Sequence, residues 1–357
     1  MRFRLPPADR TGPPGGGQSR SGFSLLEILA AVALLVMILA MTTSIIDSSS
    51  RVWRQANAKI ESFQAARGVF DILTSKIGKA TLNTYWDYYG ADNKPFRLSA
   101  DPAAFEPKRY GRYSDLHFLC GQASGLITAL PPDLSMTGTQ AVFFAAPTGM
   151  SSSADFNGLS GLLAACGYFV AFGSDDSSKP GFLPTPSRYR WRLMELSAPV
   201  EELQVFASPT GNSWMETPIS NGRVRSVAEN VIALVVWPRR SQQDDPAGEA
   251  LSDNFAYDSR TAETWSGNPP RQPVQAHQLP PNLQVTMVVI DEESAKRMEN
   301  GSTPPAKITA ALSGLFDGKV SEYEDDLKKL EERLAGSQVG FRVFSTTVAL
   351  RESKWSP

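Results

Sequence analysis

Few side chains in this chain of 357 residues stand where they could do chemistry, and the first of them is at odds with its surroundings. Glu27 is the only charged residue in the apolar run from Phe23 to about Ile46. A charge at the centre of a bilayer costs about 2.5–3.5 kcal/mol, so membrane anchoring alone does not account for a carboxylate there. Elsewhere the chemical inventory is thin. There are two histidines, His117 and His277, and two cysteines, Cys120 and Cys166. No HExxH pair, phosphate-binding loop, dinucleotide fingerprint or nucleophile elbow occurs. The acidic residues form no recognisable acid–base pair, so the expectation is a protein that is not an enzyme.

The elements that must position Glu27 begin with a basic leader. Arg2, Arg4, Arg10 and Arg20 against Asp9 give residues 1–22 a charge of +3, which leaves −5 for the rest of a chain whose net charge is −2. The apolar run that follows is some 24 residues, about 36 Å as a helix, enough to span a bilayer. The arginines precede it, so the positive-inside rule keeps the N-terminus cytoplasmic and the body outside. A secretory signal has a shorter apolar core followed by a small-residue cleavage site; here the small residue, Gly22, comes first. A weakly acidic body without a basic patch excludes nucleic acid as the main partner. With 41% hydrophobic and 20% charged residues the body is globular.

Beyond Asp47 no proline interrupts the chain before Lys79. Ala56, Ile60, Phe63, Phe70 and Ile77, flanked by Ala66 and Leu73, make an amphipathic stripe. The expected helix runs from Phe23 to about Lys79, roughly 85 Å, with a break near "DSSS" as the alternative. Residues 23–46 are its transmembrane part and 47–80 its amphipathic continuation. Residues 81–357 then read as a β-rich domain. "DLHFLCG", "QAVFFAA", "CGYFVAFG", "RYRWRLMEL", "NVIALVVWP", "LQVTMVVID" and "FRVFSTTVALR" are β-branched and aromatic runs between turn residues, as in a mainly antiparallel sheet. Alternation in "RYRWRLMEL" predicts one solvated face, and "NVIALVVW" reads as a central strand. "DEESAKRMEN" and "SEYEDDLKKLEERLAG" read as helices. The second carries a capping-box pattern at Ser321 and Glu324, an apolar stripe of Tyr323, Leu327, Leu330 and Leu334, and Gly336 as its stop. Residues 238–281 form a long loop within the domain, with Phe255, Tyr257 and Trp265 available to fold back onto it.

"SGFSLLEILAAVALLVMILA" resembles the N-terminal signature of the type IV pilin superfamily, which includes the pseudopilins of type II secretion. The resemblance implies a prepilin peptidase cutting after Gly22, methylation of Phe23 as the new N-terminus, and Glu27 as the glutamate used in assembly. It also implies the fold class: α+β and pilin-like, a long N-terminal helix packed against a mainly antiparallel β-sheet domain. Cleavage would turn the Phe23 nitrogen from an amide into an ammonium one helical turn from Glu27, in a first turn where the helix dipole already favours negative charge. In an assembly the carboxylate can instead meet the ammonium of a neighbouring subunit, where low dielectric strengthens the attraction and sets the axial register.

The C-terminal half, "PNLQVTMVVIDEESAKRM" followed by "FRVFSTTVALRESKW", resembles the Verru_Chthon cassette protein C group, pilin-like proteins of the Verrucomicrobia, and also the minor pseudopilin J. Together the resemblances imply a minor pilin-like subunit of a secretion or pilus-like envelope assembly. It would be a single-pass protein of the bacterial inner membrane with a periplasmic domain. Its partners would be the prepilin peptidase and other pilin-like subunits, and it would need no cofactor. The alternative is a membrane-anchored extracytoplasmic enzyme or binding module. In an oxidising envelope Cys120 and Cys166 are candidates for a disulfide worth about 2–4 kcal/mol; two buried free thiols are the alternative. Some pseudopilins bind calcium, and Asp175 with Asp176, or Asp244 and Asp245 with Glu249, offer oxygen ligands. Neither set has EF-hand spacing, and no metal ligand is assigned.

Overall fold

The fold is that of a computed structural model, which describes Gly22 and residues 24–353 apart from 137, 157, 177–178, 181, 183, 207–210, 242, 244, 247 and 262–263. The chain divides into two units, Met1–Asn57 and Ala58–Pro357. Helix α1 covers Leu25–Ile77 without interruption, so no break occurs at "DSSS". Its continuity follows from the absence of proline; it stops at Ile77, where the Lys79 and Ala80 N–H groups donate to the Lys76 and Ile77 carbonyls in a tightened last turn and Lys76 complements the negative end of the dipole.

The first unit is almost wholly apolar helix. Leu25, Leu26, Ile28 and Leu29 and the apolar side chains that follow to Ile46 are exposed. Among the described residues, α1 is the one helix long and apolar enough to cross a membrane. An all-round apolar helix that buries nothing in its own chain fits a single-pass membrane anchor.

In the second unit, strands β1 (Tyr85–Tyr89), β2 (Arg109–Tyr113) and β3 (Leu119–Gln122) lead into the short helix α2 (Ala123–Leu126). Strands β4 (Leu134–Met136), β5 (Gln140–Pro147), β6 (Leu163–Gly173) and β7 (Arg190–Ala198) precede helix α3 (Ser213–Ser220). Then come β8 (Val224–Glu229), β9 (Val231–Arg239), β10 (Tyr257–Asp258) and β11 (Asn282–Ile290). Helices α4 (Glu292–Met298), α5 (Ala306–Leu312) and α6 (Tyr323–Gly336) and strand β12 (Phe341–Ala349) complete the chain. Among the described residues every strand pairing is antiparallel: a seven-stranded sheet ordered β10-β3-β5-β6-β7-β8 with β4 against β6, a three-stranded sheet β12-β11-β9, and the hairpin β1-β2. The architecture is α+β and pilin-like, a long helix packed on antiparallel sheets.

The predicted stripe is buried only in its upper part. Phe63, Ala66, Phe70, Leu73 and Ile77 enter the main core with Phe144, Val170, Leu193, Val235 and Val285, while Ala56 and Ile60 stay exposed. Each fully buried large side chain contributes roughly 1.5–3 kcal/mol. A second core lies on the other face of the large sheet, where Phe143, Phe169, Met194 and Leu196 meet Trp214, Met215 and Ile219.

That second core overturns the expectation of a solvated face on "RYRWRLMEL". Both faces of β7 are covered, and its charged residues are buried because each finds partners. Arg190 pairs with Glu299 at 2.6 Å, Arg192 donates to the Gly173 carbonyl at 2.7 Å, and Glu195 accepts from Lys76 at 2.6 Å. β9, read as central, is an edge strand by pairing; β11 is the central one. β9 is apolar on both faces because it is buried on both, and the Gln140 side chain takes up the Val236 N–H at 2.6 Å.

Two further readings change. The capping box at Ser321 and Glu324 is not formed: Val320–Glu322 is a 3₁₀ turn and α6 starts at Tyr323. Gly336 is the last residue of α6, and Gln338, two residues on, takes the left-handed conformation that ends the turn. The loop 238–281 folds back onto the domain through two of the aromatic residues expected to do so: it supplies β10, and Phe255 and Tyr257 are buried in the core with Leu251 and Leu279.

Candidate anchor and assembly site

Helix α1 opens on two reciprocal hydrogen bonds. The Glu27 N–H donates to the Ser24 hydroxyl at 3.2 Å, and the Ser24 N–H donates to the Glu27 carboxylate at 3.3 Å. The Ile28 N–H donates to the Ser24 carbonyl at 3.2 Å, which makes Ser24 the N-cap and Glu27 the third helical residue. This is a capping box, and it satisfies two of the amides that a helix start leaves without partners. The motif S-x-x-E is plain in "SLLE", so Ser24 is legible in the sequence as the partner of Glu27, beside the more conspicuous signal of a charge in an apolar run.

Gly22 lies outside the helix and is exposed, with open space around its Cα. An exposed, non-helical residue is what a peptidase needs on one side of a scissile bond. Phe23 lies outside the described residues, as do the leader residues 1–21.

Where α1 meets the domain, an ionic cluster holds it. Glu195 on β7 accepts from Lys76 on α1, from the Tyr168 hydroxyl at 2.7 Å and from Arg225 at 2.7 Å. Burial alone would raise its pKa, but the three donors together hold the carboxyl below its ordinary range. Lys59, lower on the helix, pairs with Asp291 at 3.0 Å, and Asp291 also caps α4 by accepting from the Ser294 N–H. These pairs fix the rotation of the helix about its axis, which hydrophobic contact specifies only loosely.

Cys120 and Cys166 do not form the disulfide considered above. Cys120 on β3 faces Val142 of β5, and Cys166 on β6 faces Phe144 of β5, so β5 runs between the two cysteines. Two strand spacings make about 9.6 Å, and a disulfide needs Cα atoms within about 7 Å. Both thiols are buried, and burial pushes Cys166 up to about 12 and Cys120 higher still. Such thiols are inert. The expected result of non-reducing mass mapping is two free thiols, unreactive to iodoacetamide in the native protein and both alkylated in guanidinium; a Cys120–Cys166 peptide would contradict it.

The remaining candidates serve the fold. His117 is buried, with Nε2 on Asp258 at 2.7 Å and Nδ1 accepting from the Trp214 indole at 3.0 Å. A donor on Nδ1 requires that nitrogen to be unprotonated, so the ring is neutral, and burial accordingly lowers its pKa. The His277 ring lies 4.7 Å from that of Tyr113. Asp175 accepts from the Arg188 N–H, Asp176 from the Ser187 hydroxyl, and Asp245 from the Gly248 and Ala250 N–H groups. These are turn-forming contacts. Asp244 is outside the described residues, and among the described residues no three His, Cys, Asp or Glu side chains are grouped to hold a metal ion.

A capped apolar anchor helix that continues into an antiparallel α+β domain defines a protein of pilin-like architecture. Over 83 residues, 23% of its length, the chain is 32% identical to the pilin-like protein PilA3 of Thermus thermophilus, and the match takes in 35% of that protein. The likeness supports the type IV pilin-like superfamily as the class of this chain. No family model matches it, and no solved structure matches it.

Proposed function

We propose that this chain is a minor pilin-like structural subunit, without enzymatic activity of its own. It is cut by a prepilin peptidase between Gly22 and Phe23 and assembles with other pilin-like subunits from the bacterial inner membrane. The observation that carries the reading is the junction itself: an exposed Gly22, one residue, then a capped helix start with Glu27 in its first turn. Trimming there removes the basic leader and leaves the whole anchor on the mature protein. The arginines of the leader support a cytoplasmic N-terminus and a periplasmic domain. The ending of the chain, a β11–α4 unit and a final strand β12 beside β11, supports a relation to the Verru_Chthon cassette protein C group and to pseudopilin J. A type II secretion pseudopilus or a related envelope assembly is the setting this reading implies.

Intact-mass and N-terminal peptide analysis of the protein from its native membrane tests the processing. The expected N-terminus is Phe23, methylated, with the apolar helix retained. A mature N-terminus beyond Ile46, or an intact leader in cells with an active prepilin peptidase, would refute it.

A further inference from the structure

The β1–β2 hairpin carries an exposed aromatic surface that the assembly reading does not use. Trp86, Tyr88 and Tyr110 project from one face of the hairpin, each more than half exposed. The Trp86 and Tyr110 rings lie within 19° of parallel with centroids 5.3 Å apart, and Tyr88 leans on Tyr110 at 5.3 Å. Period-two alternation puts Tyr85, Tyr89, Gly111 and Tyr113 on the other face, where Tyr89 and Tyr113 are buried. There Trp265 packs edge-on against Tyr89 and lies so close to Gly111 that a Cβ would approach it to 2.6 Å. The platform is therefore backed by packed side chains and set on a five-pair ladder. Exposed contiguous rings of this kind mark interaction sites.

Charge selects among ligands. Residues 84–115 hold five acidic and five basic side chains, a net charge of zero. Of these five cations, Arg97 pairs with Asp115 at 3.1 Å, Lys108 pairs with Glu106 at 2.9 Å, Arg109 donates to the Asn93 side chain, and Arg112 donates to the Pro273 and Ala276 carbonyls. A nucleic acid or an anionic lipid surface binds through several uncommitted Lys and Arg, and among the described residues Lys94, in the connection between β1 and β2, is the one basic side chain of this segment without a partner. What it does offer is electron-rich ring faces bordered by hydrogen-bonding groups. Among the described residues nothing hydrogen-bonds the Tyr88 or Tyr110 hydroxyl or the Trp86 indole N–H. The complement is a neutral ligand with an apolar C–H face and hydroxyls at its rim. A pyranose ring has both: its axial C–H bonds carry partial positive charge toward the ring quadrupole, and its hydroxyls meet the phenols and the indole.

We propose that Trp86, Tyr88 and Tyr110 form a binding platform for a neutral polysaccharide. The test is affinity electrophoresis of the full chain, in a detergent without a sugar headgroup, through native gels containing hydroxyethyl cellulose, galactomannan or dextran. The expected result is retardation by at least one of the three, with affinity weakened about tenfold or more by Trp86→Ala or Tyr110→Ala, as for an aromatic anchor. Trp86→Leu keeps the apolar bulk and removes the ring, and should lose binding equally. Phe182→Ala, at an exposed ring that makes no contact with the three platform rings, should bind as wild type does. Migration unchanged by all three polymers, equal retardation of the wild type and the Trp86→Leu variant, or a loss confined to vesicle binding or chain–chain crosslinking would overturn the proposal. The processing experiment does not bear on this site, so the two readings fail independently.

Discussion

Replacing Glu27 with leucine is expected to leave the protein processed and membrane-resident and to abolish its crosslinking to pilin-like partners. Leucine makes the anchor more apolar, so insertion is unchanged or improved. The change removes two things at once. One is the carboxylate that would face the ammonium created at Phe23; the other is the acceptor for the Ser24 N–H. Ser24 remains the N-cap, so only the reciprocal half of the capping box is lost, about 0.5–1.5 kcal/mol, a local fraying that a long helix absorbs. A lost ion pair in lipid is not absorbed, because the ammonium has no water to return to. Glu27→Gln separates the two effects, since glutamine at the third helical position still completes a capping box but carries no charge. Both variants should fail to crosslink at normal membrane abundance. If the glutamine variant assembles as wild type does, the carboxylate acts as a cap and the charge role is wrong.

Glu195→Gln should destabilise the folded domain by about 3 kcal/mol, the range for breaking a buried ionic cluster from one side. The glutamine amide would turn a donor toward Lys76 or Arg225, both already donors, and the Tyr168 hydroxyl would lose a charged acceptor. The same carboxyl makes stability depend on acidity. Its folded pKa lies below the unfolded value, so its contribution is complete above the ordinary carboxylate range and disappears as pH falls through the folded value. Denaturation of the full chain in detergent across pH 3 to 7 should therefore show the wild type losing more stability on acidification than the variant. Equal midpoints at pH 7, within about 0.5 kcal/mol, would show that the cluster contributes nothing net.

Reading the chain from local pattern worked where the pattern itself sets the structure. All seven apolar runs expected as strands contain one, and α4, α6 and the unbroken α1 follow from periodicity and from the absence of proline. The hairpin β1–β2 is not among those runs, although "YWDYY" and "RYGRY" have strong β propensity, because the Gly and Pro around them obscure the pattern. The Ser24–Glu27 pair is equally legible, since it joins residues three apart.

What the sequence by itself determined is the anchor: a basic leader, Gly22 before the apolar run, one carboxylate in its first turn, and a striped continuation. Those features rest on interactions within a few residues, so a one-dimensional reading holds. What only the tertiary structure decided is which strands are neighbours and which faces are covered. β5 runs between β3 and β6 and keeps Cys120 from Cys166; a second core closes over β7 and buries Arg190, Arg192 and Glu195 among partners as distant in the chain as Lys76 and Glu299. Those outcomes depend on contacts between segments 20 to more than 100 residues apart, and alternation along one strand cannot reveal what will pack upon it.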